Sequence, residues 1–344
     1  MRLLDVSLGA ALLLALSMPS HAQSPAEFYK GKNVELYIGY SVGGGYDLYA
    51  RMLARHMGKH MPGNPTIIPK NMEGAGSLRL ANWLYNVGAK DGTVFGMIGR
   101  GTGFDPLLGH KGAQFDATRF TWIGSANNEV SVCVAWHTSE IRNFDDLLKK
   151  ELTVGGTGAA ADTDQFPRII NGMLGTKMKI VTGYPGGNDV GLAMERGEVN
   201  GRCGWSWSSV KSTHQTWLRD KKINILVQLA LEKHPDLPDV PLVTELAKTD
   251  EQRQVLKLIF ARQVMGRPFL APPGIPQDRV EALRKAFMDA LSDKDLLAEA
   301  DKAQLEINPV AGDRIQDLVK EVYQTPKEVA GKAAVLLDVS AQRR

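Results

Sequence analysis

An apolar segment followed by three glycines and an amphipathic helix constrains this chain more than any other feature. Residues 34–40 predict a β-strand, and Gly43, Gly44 and Gly45 follow shortly after it. Glycine accepts backbone conformations that other residues avoid, and it lets a ligand approach the main chain closely. The helix predicted next presents unpaired N–H groups and the positive end of its dipole. The segment therefore predicts an anion site that needs no cationic side chain.

A second loop of small residues lies farther along the chain, again between a predicted strand and a predicted helix. Residues 152–154 predict the strand, and the loop 155–162 contains only glycine, threonine, alanine and one aspartate. One such loop is a common connector. Two of them facing each other across a cleft would bind the two ends of a small dianion, so the pair favours capture of an anionic metabolite.

Strand-like and helix-like segments alternate along the chain, which predicts α/β layers. We expect further strands at residues 66–69, 94–98, 130–135, 179–181 and 223–229. Asp47 occupies the position where the N-cap of the first amphipathic helix is expected. The chain of 344 residues is longer than one hydrophobic core normally serves, so we expect two domains.

The first 22 residues have the pattern of an export signal. Arg2 gives a short basic start, residues 8–16 are apolar, and a small-x-small motif ends at Ala22. A membrane anchor is the alternative, and the shortness of the apolar run disfavours it. We expect cleavage after Ala22 and export to a bacterial periplasm.

Charge and cysteine content limit the classes of partner and compartment. The formal net charge is +3, and the basic residues are scattered without the aromatic interleaving of a nucleic-acid site. Cys133 and Cys203 are the two cysteines of the chain. They fit an oxidising compartment and permit one disulfide, with two buried free thiols as the alternative.

Residues 40–47, with Ala50 and Arg51 after them, resemble a family signature, P-F-x-x-G-G-G-x-D-x-x-A-R. This is the signature of the substrate-binding proteins of tripartite tricarboxylate transporters, also called the Bug family. Five further segments are similar to motifs of that family and occur in the same order: 71–76, 90–93, 183–187, 235–241 and 271–276. The resemblance extends over essentially the whole chain after the predicted signal.

The resemblance implies a type II periplasmic binding protein, an α/β fold of two domains joined by crossing hinge strands with a ligand cleft between them. The implied ranges are 1–22 for the signal peptide, 23–125 and 229–344 for domain 1, and 126–228 for domain 2. Family members bind organic carboxylates mainly through backbone amides of the two loops. They deliver the ligand to a membrane permease of one large and one small subunit. The resemblance thus predicts a monomeric, non-catalytic receptor without cofactor or metal.

The loops and the resemblance together give the candidate ligand-binding residues. They are Tyr40, Ser41, Val42, Gly43, Gly44, Gly45, Asp47, Arg100, Thr102, Thr157, Gly158, Ala159, Ala160, Ala161, Tyr184 and Trp205. Arg100 departs from the family pattern and would supply a bidentate carboxylate contact, unless it is a solvated loop residue. Trp205 and Trp207 would share one face of an extended segment and line the cleft, with core packing as the alternative.

Two other functions and one metal site remain as alternatives. Residues 39–43 match the G-x-S-x-G elbow of a serine hydrolase with Ser41 as nucleophile, although that fold needs several strands before it. A ligand-loaded partner of a two-component sensor kinase is a second alternative to transport. His56 and His60 have the spacing of a helical metal site, but a solvated helix face is favoured because no H-E-x-x-H glutamate lies between them.

Overall fold

A computed structural model describes residues 23–338 of the chain. The predicted signal peptide and its cleavage site lie outside the described residues. The strands are β1 (Asn33–Ile38), β2 (Thr66–Asn71), β3 (Val94–Met97), β4 (Thr121–Ser125), β5 (Ser131–Trp136), β6 (Leu152–Gly156), β7 (Met178–Thr182), β8 (Gly201–Ser206), β9 (Ile223–Leu229), β10 (Pro268–Ala271) and β11 (Val310–Ala311).

The α-helices alternate with these strands, as the sequence pattern predicts. They are α1 (Pro25–Tyr29), α2 (Gly45–Met57), α3 (Leu78–Asn86), α4 (Phe144–Lys149), α5 (Asp162–Leu174), α6 (Gly187–Glu195), α7 (Trp207–Thr213), α8 (Gln215–Arg219), α9 (Asp250–Phe260), α10 (Gln277–Leu291), α11 (Lys294–Lys302), α12 (Gly312–Tyr323) and α13 (Lys327–Leu337). None of the helices between residues 23 and 338 combines the length and apolar character needed to cross a lipid bilayer.

The strands form two separate mixed sheets. The first sheet has six strands in the order β11-β4-β10-β3-β1-β2, and the second has five in the order β7-β6-β8-β5-β9. In the first sheet β1 pairs parallel to β2 and β3, whereas β10 pairs antiparallel to β3 and β4. In the second, β6 is parallel to β7 and β8, and β5 is antiparallel to β8 and β9. The predicted α/β layers are therefore confirmed.

The strands differ in how far their side chains are buried. Strand β1 alternates between buried and more exposed side chains, while β3 and β8 are buried throughout. A strand covered on both faces normally carries apolar residues. Strand β8 nevertheless contains Arg202, and this exception places a charge inside the second sheet.

Two chain segments cross between the sheets side by side. Residues 126–130 lead from β4 to β5, and residues 230–267 lead from β9 back to β10. The Ala126 amide donates to the Arg267 carbonyl over 3.0 Å, and the Glu129 amide donates to the Gln263 carbonyl over 2.8 Å. The two crossings are thus hydrogen-bonded to each other, an arrangement suited to a hinge.

The C-terminal helix α13 packs near the second sheet rather than the first. Helix α13 packs against α5 and α9, and Lys332 of α13 forms an ion pair of 2.6 Å with Glu251 of α9. Helices α10 and α12 pack on the first sheet. The residue ranges of the two domains stay a prediction.

The start of α2 differs from the sequence prediction. The helix begins at Gly45 with Gly44 at the N-cap, so Asp47 lies in the first turn. The Asp47 carboxylate accepts from the Gly43 amide and from Arg51, both over 2.9 Å. It also accepts from Asn71. Asp47 therefore holds the glycine loop in place, because its buried carboxylate accepts a hydrogen bond from the loop's backbone.

Candidate functional site

A cavity lies between the two sheets, where loops from the first sheet and loops from the second sheet meet. Its lining residues are Tyr40, Gly44, Gly45, Tyr46, Gly99, Arg100, Gly101, Thr157, Ala160, Ala161, Asp162, Thr163, Gly187, Arg202, Gly204, Trp205, Ser206, Ser209 and Arg267. The empty space among these atoms, including its mouth, is about 530 Å³. The cavity thus brings the two predicted loops to one place.

The N-termini of α2 and α6 face each other at this cavity. A Cβ built on Gly44, the N-cap of α2, would lie 3.8 Å from the nitrogen of Gly187, the first residue of α6. The Ser41 hydroxyl donates to the carboxylate of Asp189 over 2.8 Å, which joins the two helix starts. Two positive dipole ends therefore point to the same space.

The second glycine-rich loop packs against the loop before α3. Gly158 has φ +133°, and a Cβ there would lie 2.5 Å from the Gly76 nitrogen, so only glycine fits. The Gly158 amide donates to Asp164 over 3.0 Å, and the Thr157 amide donates to the Thr163 hydroxyl over 2.9 Å. These two amides already have partners within the loop and α5.

Arginines dominate the charge around the cavity. Arg100 forms an ion pair of 2.9 Å with Asp162 and hydrogen bonds with Gln263 and Ser206. Arg262, behind the lining, also contacts Asp162, over 3.3 Å. These contacts tie the loop after β3 to the start of α5 and to the hinge segment.

Arg267 pairs with a different carboxylate, that of Glu129. Its guanidinium forms an ion pair of 3.0 Å with the buried Glu129 and donates to the Ser209 hydroxyl over 2.7 Å. It also lies over the rings of Tyr46 and Tyr49, 4.8 Å and 4.7 Å from their centroids. Arg267 is thus held between the hinge, α2 and α7.

Arg202 differs from these arginines because it lacks a carboxylate. Among residues 23–338, no carboxylate oxygen lies within 4.0 Å of its guanidinium nitrogens. One nitrogen donates to the Gly187 carbonyl over 3.0 Å, and the guanidinium lies 4.5 Å from the Trp205 ring centroid. The residue is only 9% exposed. Burial, together with the charges of Arg267 and Arg100, lowers the pKa of Arg202 to about 9.

Asp105 lies near these arginines but does not balance their positive charge. Burial raises the pKa of Asp105 to about 8, so the carboxyl is neutral at pH 7. One oxygen accepts from the Gln165 amide over 2.8 Å, while the other has no hydrogen-bond partner among the described residues. The carboxylates that face the arginine cluster are therefore those of Asp162 and Glu129, against the guanidiniums of Arg100, Arg202, Arg262 and Arg267.

Several predicted site residues lie away from the lining of the cavity. Val42 is 65% exposed, and the Tyr184 hydroxyl donates to Glu198 over 3.4 Å at the surface. Thr102 is buried with its hydroxyl 3.0 Å from that of Ser77. Also outside the lining are Ser41, Gly43, Asp47, Gly158 and Ala159.

The two tryptophans take different roles. Trp205 lines the cavity from β8 and packs edge-to-face on Trp217. Trp207 is the first residue of α7 rather than part of the same extended segment, and its indole donates to Asp236 over 2.9 Å. Both belong to the apolar core of the second sheet, so lining and packing are combined at Trp205.

His56 of α2 and His60, which follows α2, contact acidic residues in or just before α11 rather than each other. His56 Nε2 lies 2.8 Å from Glu299, and His60 Nε2 lies 2.7 Å from Asp293. A separate group, His234, Asp236 and Glu306, has ligand atoms close together. The Lys211 ammonium lies among them, 2.7 Å from Asp236 and 2.6 Å from Glu306, and supplies the positive charge there.

Sequence reasoning missed Arg202, Arg267 and Asp162 as cavity residues. Arg202 lies next to Cys203, which the structure joins to Cys133 of β5 by a disulfide. A charged residue in a segment otherwise made of glycine, cysteine, tryptophan and serine was the available signal. It becomes informative only once that segment is known to be a buried strand.

The fold is that of the type II periplasmic binding proteins, and the predicted fold class is confirmed. The periplasmic binding protein BugD superposes with a TM-score of 0.73 at 19% identity, covering 89% of this chain and 99% of that one. MatC from Rhodopseudomonas palustris with bound malate gives 0.70 at 20%, covering 87% and 99%. An R. palustris protein with adipate gives 0.67 at 17%, covering 88% and 97%. No family model and no protein of curated function matches the sequence.

Proposed function

We propose that this protein is a periplasmic receptor that binds a small organic dicarboxylate and delivers it to a tripartite tricarboxylate-type membrane transporter. The proposal places the chain in the Bug family. It rests on the six motifs in family order together with a shared fold. Malate and adipate, the acids bound in two of the similar structures, are both dicarboxylates.

One observation carries the proposal: a cavity between the two sheets where two helix N-termini converge beside an excess of guanidiniums. Gly44 and Gly187 mark the two helix starts. Helix N-termini and guanidiniums both favour anions, and each charge-assisted hydrogen bond is worth about 1.5–3 kcal/mol. A few such bonds, with water excluded by closure of the two halves, account for micromolar binding.

The charge balance favours two negative charges on the ligand. The lining contains Arg100, Arg202 and Arg267 but a single carboxylate, that of Asp162. Behind the lining, Glu129 pairs with Arg267 and Arg262 shares Asp162. An excess of two positive charges remains when the pairs are cancelled. A buried excess of this kind is costly unless an anion compensates it.

Hydrolysis is not supported at Ser41. In a hydrolase the nucleophilic hydroxyl donates to a base that is usually histidine. Here the Ser41 hydroxyl donates to Asp189, and this bond joins two helix starts. The contact joins the loop before α2 to α6 rather than activating a nucleophile.

Calorimetry tests the proposed function. We expect malate, adipate or another small dicarboxylate to bind the purified protein after dialysis against a chelator, while the dimethyl ester of the same acid gives no heat. The ester matches the acid in carbon skeleton but lacks its charge. The absence of binding by every acid in a panel of dicarboxylates and tricarboxylates would overturn the proposal.

A further inference from the structure

Arg202 is a buried residue of the cavity that lacks the carboxylate partner of its neighbouring arginines. It is nine-tenths buried, it lines the cavity, and its Nε has no hydrogen-bond partner among the described residues. The other cavity arginines, Arg100 and Arg267, each have a carboxylate within 3.0 Å. A buried charge without a counterion destabilises a fold, so its presence requires another explanation.

The surroundings of Arg202 restrict what can compensate it. One of its nitrogens donates to the carbonyl of Gly187, and its guanidinium lies over Trp205. The guanidinium is thereby fixed where the first turn of α6 begins. A planar carboxylate is the anion that matches a guanidinium through two parallel hydrogen bonds. The Gly44 backbone is also near, since a Cβ on Gly44 would lie 3.8 Å from the Gly187 nitrogen.

We propose that Arg202 binds one carboxylate of the ligand directly, and that it is retained for binding at the expense of the stability of the empty protein. The inference rests on the proposed function and adds a side-chain anchor to the backbone loops. The carboxylate would lie between the Arg202 guanidinium and the starts of α2 and α6. The stacking on Trp205 orients the guanidinium for this contact.

A ligand-binding role for Arg202 predicts two effects that a purely structural role does not. Replacing Arg202 by methionine, an apolar side chain of similar length, should raise the unfolding temperature of the ligand-free protein, because an uncompensated charge is removed. The same change should weaken binding roughly thirtyfold or more, as loss of one member of a buried charge pair does. A structural arginine would give a lower unfolding temperature.

The experiment compares five proteins in chloride-free buffer: wild type, Arg202→Met, Arg202→Lys, Arg267→Met and Arg219→Met. Differential scanning calorimetry is run without ligand, and titration calorimetry is run with malate and with adipate. Arg267→Met leaves Glu129 buried and unpaired, so it should lower the unfolding temperature. Arg219 is exposed beside Asp220, and its replacement should change neither readout. Arg202→Lys should retain part of the affinity, because it keeps the charge but loses the planar contact.

Each outcome decides the inference. Higher stability with lost binding in Arg202→Met supports it. Lower stability in the ligand-free variant, or binding equal to wild type, overturns the inference and leaves the proposed function intact. If wild type binds no acid of the panel, the proposed function fails, and the inference fails with it.

Discussion

Arg100 and Asp162 form a buried ion pair that joins the two halves of the molecule. Arg100 follows β3 of the first sheet, Asp162 begins α5 beside the second sheet, and Arg100 Nε lies 2.9 Å from an Asp162 carboxylate oxygen. Arg100 also contacts Ser206 at the end of β8 and Gln263 of the hinge segment. Its guanidinium therefore joins the loop after β3 to α5, to β8 and to the hinge segment.

This pair predicts that Arg100→Met lowers the stability of the protein more than its affinity for the ligand. Removal of Arg100 leaves Asp162 with Arg262 at 3.3 Å as its remaining partner, so we expect a loss of about 3 kcal/mol in unfolding free energy. Urea unfolding of the ligand-free protein measures it. Stability equal to wild type in this variant would show that the pair contributes nothing.

The first glycine loop predicts a binding defect without a folding defect. Gly44 has φ −77° and ψ 168°, an extended conformation that any residue adopts, and a Cβ there meets no atom closer than 3.8 Å. We expect Gly44→Val to fold, but its γ carbons would intrude between the two helix starts and block hydrogen bonds to the ligand, weakening binding of malate or adipate by about 1–3 kcal/mol. Calorimetry and thermal unfolding of the same sample separate the two effects.

Gly45→Ala is the matched contrast one residue later. A Cβ on Gly45 would lie 1.9 Å from the Ser209 hydroxyl oxygen, so this variant should lose stability as well as affinity. If Gly44→Val binds like wild type, the first loop does not contact the ligand.

The local parts of the fold could be predicted from the sequence. Residues 34–40 and the three glycines predict β1 and α2, because the patterns of a strand, a loop and an amphipathic helix each depend on residues close together in the sequence. Side-chain propensity predicts the N-cap at Asp47, whereas in the structure Gly44 is the N-cap and the Asp47 carboxylate accepts a hydrogen bond from the Gly43 amide. Propensity alone does not separate these two uses of an aspartate.

The charged part of the site could not be predicted in the same way. Arg100 and Asp162 are 62 residues apart and belong to different sheets, so their pairing depends on how the two halves close. The sequence indicates an extended segment around Cys203 and Trp205 but not its burial, because the residues of β8 lack the apolar pattern of a buried strand. Arg202 therefore becomes a candidate site residue only when the sheet order is known, because that order places β8 between β6 and β5.

The bond between Cys133 and Cys203 predicts the absence of free thiols. It links β5 to β8, two neighbouring strands of the second sheet. Thiol titration of denatured, unreduced protein from a periplasmic preparation should detect no thiol. Reduction should lower the unfolding free energy by about 2–4 kcal/mol, and the double variant with both cysteines changed to alanine should match the reduced protein. Two titratable thiols in the unreduced sample would contradict the prediction.

Asp105 predicts a stability that falls as the pH rises. Burial raises the pKa of this carboxyl to about 8 in the folded protein, far above its ordinary value of 3.8. Between these two pH values the folded state holds a proton that the unfolded state has lost. Unfolding therefore becomes more favourable as the pH rises, by the linkage between protonation and stability.

Asp105→Asn removes this cost because the amide is neutral at every pH and retains an oxygen to accept the Gln165 hydrogen bond. We expect the variant to match wild type near pH 4 and to exceed it increasingly up to pH 8, with an advantage of about 2 kcal/mol or more at pH 7. Urea unfolding across this range measures the difference. Asp239→Asn, at an exposed position, is the control for loss of one charge. A difference between Asp105→Asn and wild type that does not change with pH would mean that Asp105 is ionised in the folded protein, and that the charge excess of the cavity is smaller by one.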